Sequence, residues 1–197
     1  LFGNCVLDSL NMLKTVDGAV FETKQIKECE QILMKDCSAT QHFEISTKLT
    51  TDTRRVVKIA LPELLIEIER LAHEQGFVIR VNKEVVEWVP SQIVSDNTRF
   101  IENRFVRAVM LEVETPKEQK TDRRAIVEIV PLKLVVQVID NLVHIDVPFW
   151  YKDIVCGMCS NFDGEVAREL ELPNQTIVHS LKEFITSYTD KKCRHFL

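Results

Sequence analysis

Cys156-Gly157-Met158-Cys159-Ser160-Asn161-Phe162-Asp163-Gly164-Glu165 is the stretch on which the reading of this chain turns. Two thiols are separated by Gly157 and Met158, then oxygen-bearing side chains (Ser160, Asn161, Asp163, Glu165) surround a Phe-Asp-Gly turn. Soft sulfur and hard oxygen select different metals, so one ion does not account for the whole stretch. The chemistry fits two cystine half-bridges that pin a loop, leaving carboxylates and an amide to face a hard cation such as Ca²⁺. That combination points to an extracellular binding module and away from an enzyme.

Working outward, Cys5, Cys29 and Cys37 lie near one end of the chain and Cys156, Cys159 and Cys193 near the other. An even count implies a disulfide framework in an oxidising compartment, but spacing alone leaves the connectivity open. A bridge between the two groups would close most of the chain into a loop, which the chain-entropy account credits with roughly 4–5 kcal/mol. Asn174-Gln175-Thr176 is an N-glycosylation acceptor and agrees with secretion. Cys-x-x-Cys is also a redox pattern, in which the thiols open a helix. Here they precede a turn in a β-rich chain, and a zinc site would want a second such pair, which the sequence lacks.

At 197 residues, 45% hydrophobic and 28% charged, the chain is long enough to bury a full core, and a single domain over 1–197 is expected. A net charge of −5 without any Lys/Arg block argues against a nucleic-acid partner. The longest apolar stretch, Ala125 to Ile139, is interrupted by Glu128, Pro131, Lys133 and Gln137, so no membrane span is expected. The chain opens at Leu1 with neither an initiator Met nor a leader, and reads as a segment of a longer polypeptide. His42, His73, His144, His179 and His195 are scattered, with no nucleophile at a recognisable spacing, and no catalytic centre is expected.

Alternation dominates the local pattern. Phe77, Ile79 and Val81 alternate with polar or outward positions, and Val85 to Val89 follows an Asn82-Lys83 turn in which Asn tolerates the left-handed conformation. Leu134 to Ile139 and Val143, Ile145, Val147 form a second pair around Asp140-Asn141. Further strands are expected at Gln31 to Met34, Phe43 to Lys48, Val56 to Ile59, Leu65 to Glu69, Arg104 to Val113 and Ala125 to Val130. Leu61 to Ala72 carries good helix formers after Pro62, yet Leu64, Ile66 and Ile68 alternate with Leu65, Glu67 and Glu69, which favours strand. Ser180 with Glu183 three residues on is a capping box and predicts a short helix. Thr115 to Arg124, polar and holding Pro116, reads as a solvent loop, and Trp88 and Trp150 as residues packed in or beside the core.

Three ordered blocks resemble the von Willebrand factor type D domain. Cys5-Val6-Leu7 leading to Thr15-Val16-Asp17-Gly18 is similar to that family's opening cysteine and Thr-Phe-Asp-Gly turn. Cys29 to Cys37, with Leu33 between, is similar to its Cys-x-x-x-Leu-x-x-x-Cys strand, and Cys156 to Gly164 to its Cys-Gly-Leu-Cys-Gly-Asn-Phe-Asp-Gly. Phe184 to Tyr188 followed by Cys193 resembles the closing segment. The resemblance implies an all-β fold of two packed, mostly antiparallel sheets with a short C-terminal helix. It implies the pairings Cys5–Cys159, Cys29–Cys193 and Cys37–Cys156. It also implies a calcium site at Asp17, Asn161, Asp163, the backbone at Glu165, and Glu169. Four positions depart from the pattern: Val16 for Phe, Ser160 for Gly, Glu169 for Asp, and Arg168 for an uncharged Asn, where a guanidinium would repel the ion or must swing away.

Lys35-Asp36-Cys37-Ser38 and Phe184-Ile185-Thr186-Ser187-Tyr188 look most like the type found in vitellogenins and related large lipid-transfer proteins. That resemblance implies an ancillary module of a secreted yolk lipoprotein, partnered by other domains of the same polypeptide and by a cell-surface receptor. The alternative is an assembly module of an adhesive, clotting or mucin-like multimeric glycoprotein.

Overall fold

Where helix and strand signals compete, burial decides: Leu64–Arg70 is a strand that buries Ile66 and Ile68 and leaves Glu67 and Glu69 outside. The computed structural model describes residues 2–72, 76–87, 89–90, 99–102, 104–115 and 120–197. In chain order the strands begin with β1 (Phe2–Leu7), β2 (Met12–Lys14), β3 (Val20–Glu22), β4 (Gln31–Asp36) and β5 (Glu44–Leu49). Next come β6 (Arg55–Leu61), β7 (Leu64–Arg70), β8 (Phe77–Val81), β9 (Glu84–Val85), β10 (Val89–Pro90) and β11 (Arg99–Glu102). The series closes with β12 (Val106–Thr115), β13 (Lys120–Ile129), β14 (Leu134–Ile139), β15 (Leu142–Pro148), β16 (Val155–Cys156) and a helix, α1 (Leu181–Ser187).

Among the described residues these strands make two sheets. The nine-stranded sheet is ordered β10-β11-β12-β13-β14-β15-β1-β2-β3, and the seven-stranded sheet β16-β4-β5-β6-β7-β8-β9. Neighbours run antiparallel throughout. One face of each sheet is apolar at every second residue, so the sheets bury those faces together. Val136, Val138, Val143 and Ile145 come from one, and Ile45, Ile59, Ile66, Ile68 and Ile79 from the other. Arg55, 1% exposed, lies at an edge of this core, its guanidinium held by Gln25 Oε1 at 2.8 Å and the Asn141 carbonyl at 3.2 Å. Burial lowers its pKa to about 10, still charged at neutral pH.

The Asn82–Lys83 turn takes the two left-handed residues that a tight hairpin wants, with φ of 50° and 71°. Ser180 caps α1, accepting the Glu183 N–H at 3.2 Å, and Phe184 packs edge-on against Phe21 and Tyr188.

Four sequence expectations need correction. Thr115 to Arg124 is not a solvent loop: β12 runs to Thr115 and β13 begins at Lys120, and 116–119 lie outside the described residues. Val85 to Val89 is not one strand, because β9 ends the smaller sheet and β10 begins the larger. The three strands β1 to β3 were not expected at all. Trp150, 53% exposed, sits in a short helical turn (Phe149–Tyr151) where Tyr151 takes the core position against Phe43. Trp88 and His73 lie outside the described residues.

Candidate metal centre

Strand β1 pairs with β15, late in the chain, which carries the N-terminal turn toward the Cys156–Glu165 loop. Strand β4 supplies the other wall. A register shift between Ile32 and Met34 takes Leu33 out of the β4–β5 ladder, and its carbonyl accepts the Cys159 N–H at 2.7 Å. Gly157 makes this approach possible: a Cβ there would stand 2.5 Å from the Leu33 carbonyl oxygen, and its φ is 124°. The Val16 N–H then donates to the Cys159 carbonyl at 3.1 Å, laying the Thr15–Gly18 turn against the loop. Val16 and Phe162 close over Gly3, where a Cβ would stand 2.4 Å from Val16 Cγ1. Cystines fix the same elements: Cys5–Cys159, Cys29–Cys193 and Cys37–Cys156, with Cα separations of 5.7, 6.0 and 5.9 Å. Both thiols of the Cys-x-x-Cys are therefore bridged, each to a different upstream segment.

This framework gathers Asp17, Asn161, Asp163 and Glu169. The Asp17 carboxylate accepts the Gly164 N–H at 2.8 Å and the Asp163 N–H at 3.1 Å. Asp163 accepts the Glu165 N–H at 2.6 Å and the Asn161 amide at 3.2 Å. Glu169, 4% exposed, accepts the Thr15 hydroxyl on Oε1 at 2.8 Å; its buried Oε2 meets no donor in hydrogen-bonding geometry, although the Ser160 hydroxyl and the Ala19 N–H lie near enough to the carboxylate to lower its pKa. Burial raises the pKa of Asp17, and the Asp163 carboxylate pushes the same way. Burial likewise raises that of Glu169, with the Asp17 charge adding to it. Two carboxylates held together and partly dehydrated, one with an orphaned oxygen, fit a hard cation. Among the described residues no three His, Cys, Asp or Glu side chains converge to hold a metal by themselves, so an ion here would need amide, hydroxyl or backbone oxygens to complete its shell.

The Glu165 side chain is exposed, which leaves its backbone as the part beside the cluster. Arg168 is exposed too and lines the same polar hollow as Asn161 and Asp163, without an ion pair to Asp17, Asp163 or Glu169. Ser160 adopts φ 78°, a conformation that favours glycine, and its hydroxyl lies 3.5 Å from Asp17. Sequence reasoning missed Thr15 and Glu171, the latter accepting the Asn161 amide at 2.8 Å. No short-range spacing marks either, because both meet the cluster through the fold. A polar hollow of about 490 Å³ reaches Asn161 and Asp163 from outside. Asn174 is exposed on its rim in a turn, its Oδ1 accepting the Thr176 N–H at 3.1 Å.

His42 and His144 each stand against a carboxylate, Asp36 and Asp146. The His42 contacts to Asp36 and Thr40 both use Nδ1, so that ring does not bridge an acid to a hydroxyl.

Two antiparallel sheets stapled through an acidic loop by three cystines define an oxidised β-module of the kind found outside cells. The profile of the von Willebrand factor type D domain matches residues 5–176, and the chain belongs to that family. It is similar to zonadhesin of Homo sapiens, 40% identical over 172 residues that cover 83% of this chain and 5% of that protein. Similarity to vitellogenin-6 of Caenorhabditis elegans is 26% over 200 residues, covering 98% of this chain and 11% of that protein. To vitellogenin-1 of Gallus gallus it is 25% over 179 residues, covering 89% and 8%. The chain thus spans only a small part of the relatives it matches. Among the described residues no helix is long and apolar enough to cross a membrane.

Proposed function

We propose that this chain is a non-catalytic, calcium-binding module of a secreted vitellogenin-like protein, a lipid carrier and yolk nutrient reserve. Glu169 carries the calcium reading: an anionic oxygen buried without a partner beside a second carboxylate is costly unless a cation occupies the space. In that reading Asp17, Asn161, Asp163 and Glu169 supply side-chain oxygens, and Glu165 its carbonyl. The ion would lock the Thr15–Gly18 turn to the Cys156–Glu165 loop. The vitellogenin reading is supported by the reach of that similarity, which runs over 98% of the chain. Other domains of the same lipoprotein and a cell-surface receptor would be the partners. Asn174 is the glycosylation site in this reading.

The calcium reading is tested by melting the oxidised chain in calcium and in chelator. With calcium at about a hundred times its Kd, the melting temperature should rise by about 5–10 °C. Asp163→Ala and Glu169→Gln should each abolish the rise, whatever they do to the baseline. Identical wild-type melts in both conditions would remove calcium from the proposal.

A second reading is favoured by the 40% identity to zonadhesin: an assembly module of an adhesive, clotting or mucin-like multimeric glycoprotein. Sequencing the parent transcript separates the two. A large lipid-binding region upstream supports the lipoprotein, and further cysteine-rich modules downstream support the multimer.

A further inference from the structure

Turns are ordinarily polar, yet two turns of this molecule face each other with aliphatic side chains. The β6–β7 turn contributes Leu61 and Leu64, and the segment joining β13 to β14 contributes Leu132, around an apolar hollow of about 320 Å³. Phe105, 44% exposed just before β12, and the buried Ile129 complete the walls. The hollow shares no lining residue with Asp17, Asn161, Asp163 or Glu169 and does not depend on the calcium reading.

We propose that this hollow is a binding site for an uncharged hydrocarbon group. Leu61, Leu64 and Leu132 pack against the core between the sheets, so the hollow continues that core outward. A space walled this way gives water few partners, so a hydrocarbon group that displaces that water is favoured there. Its size is roughly twice the ~150 Å³ of a cavity that accepts benzene, room for about ten carbons, and it falls in the range of small-molecule sites.

The walls are preformed. Pro62 and Pro131 stiffen the two turns, the Val130 N–H donates to the Phe105 carbonyl at 2.9 Å, and Lys133 closes its turn at φ 50°. A ligand therefore meets a ready surface and orders little on entry. Charge defines the class further. Among the described residues only His42 and Glu63 bring titratable groups to the hollow, and the His42 ring is held by Asp36 at 2.9 Å. Glu63 is exposed to water and His42 carries charge only when protonated, so neither offers a charged head a dry partner, which leaves an uncharged molecule. An aliphatic chain and a fused aromatic ring share that chemistry.

The test titrates the oxidised 197-residue chain with N-phenylnaphthylamine, an uncharged dye that brightens in apolar sites. Saturable binding at one site is expected, displaced by decanol or naphthol at concentrations at least about tenfold below those needed with decanoate. Which of the two displaces better identifies chain or ring. Leu132→Trp, which fills the hollow, and Leu64→Lys, which charges its wall, should each weaken dye binding about tenfold or more while melting cooperatively. Phe149→Ala, an exposed aromatic elsewhere, should leave it unchanged. Unsaturable binding, equal displacement by decanoate, or equal loss in Phe149→Ala would overturn the proposal. So would wild-type binding in both hollow variants.

Discussion

Gly157 has no room for a side chain, because the Leu33 carbonyl occupies the place where one would stand. Gly157→Ala should cost about 3 kcal/mol or more, read as a drop in denaturant midpoint, since backbone and not a flexible side chain must yield. Asp36 offers a pH test. Burial alone would raise its pKa, but hydrogen bonds from Ser38 and His42 outweigh burial and hold it below the ordinary aspartate value. A carboxylate whose folded pKa is depressed contributes stability above its unfolded value and loses it as pH falls through the folded one. Wild type should therefore exceed Asp36→Asn in stability above about pH 5, with the margin narrowing below about pH 4. A margin that does not narrow in acid would show that the group acts by shape and not charge. At this scale the sequence is a partial guide. Asp17, Asn161 and Asp163 are visible because turn and ligand chemistry share the same short motifs. Thr15 and Glu171 are not, since nothing in a linear spacing shows that residues 154 positions apart, Thr15 and Glu169, touch.

Among the elements, the β7 strand and the β14–β15 hairpin are legible because every second residue is aliphatic, and the hairpin's turn carries Asp140 and Asn141. Strand β1 is not: its inward residues include Gly3 and Cys5, too small or too ambiguous to signal burial. The start of β13 hides for the opposite reason. Lys120 to Arg124 is polar, and its strand is sustained by backbone pairing to β12 rather than by an apolar face. The Asn82–Lys83 turn shows where local chemistry remains suboptimal, since Lys83 holds φ 71° with a side chain in the way. Lys83→Gly should stabilise the chain by about 0.5–1 kcal/mol and raise its melting temperature by about 1–3 °C. An unchanged or lower value would mean that strand pairing imposes the turn without strain.

For the whole molecule, the three cystines are not equivalent. Cys5, Cys159, Cys29 and Cys193 are buried, whereas Cys37 is exposed at the surface. Accessibility governs attack by an external thiol, so mild reductant should open Cys37–Cys156 first. Differential alkylation followed by mass mapping should find label on Cys37 and Cys156 while the other four cysteines remain bridged. Simultaneous loss of all three bridges would indicate that the molecule opens globally before any sulfur reacts. The pairing also has a topological result. Each bridge joins the first 37 residues to the stretch after 155, so residues 38–155 form a closed ring hung from one knot. A protease that clips anywhere within that ring separates no mass: the two pieces travel as one particle, and the wound shows only after the sulfur bonds are broken.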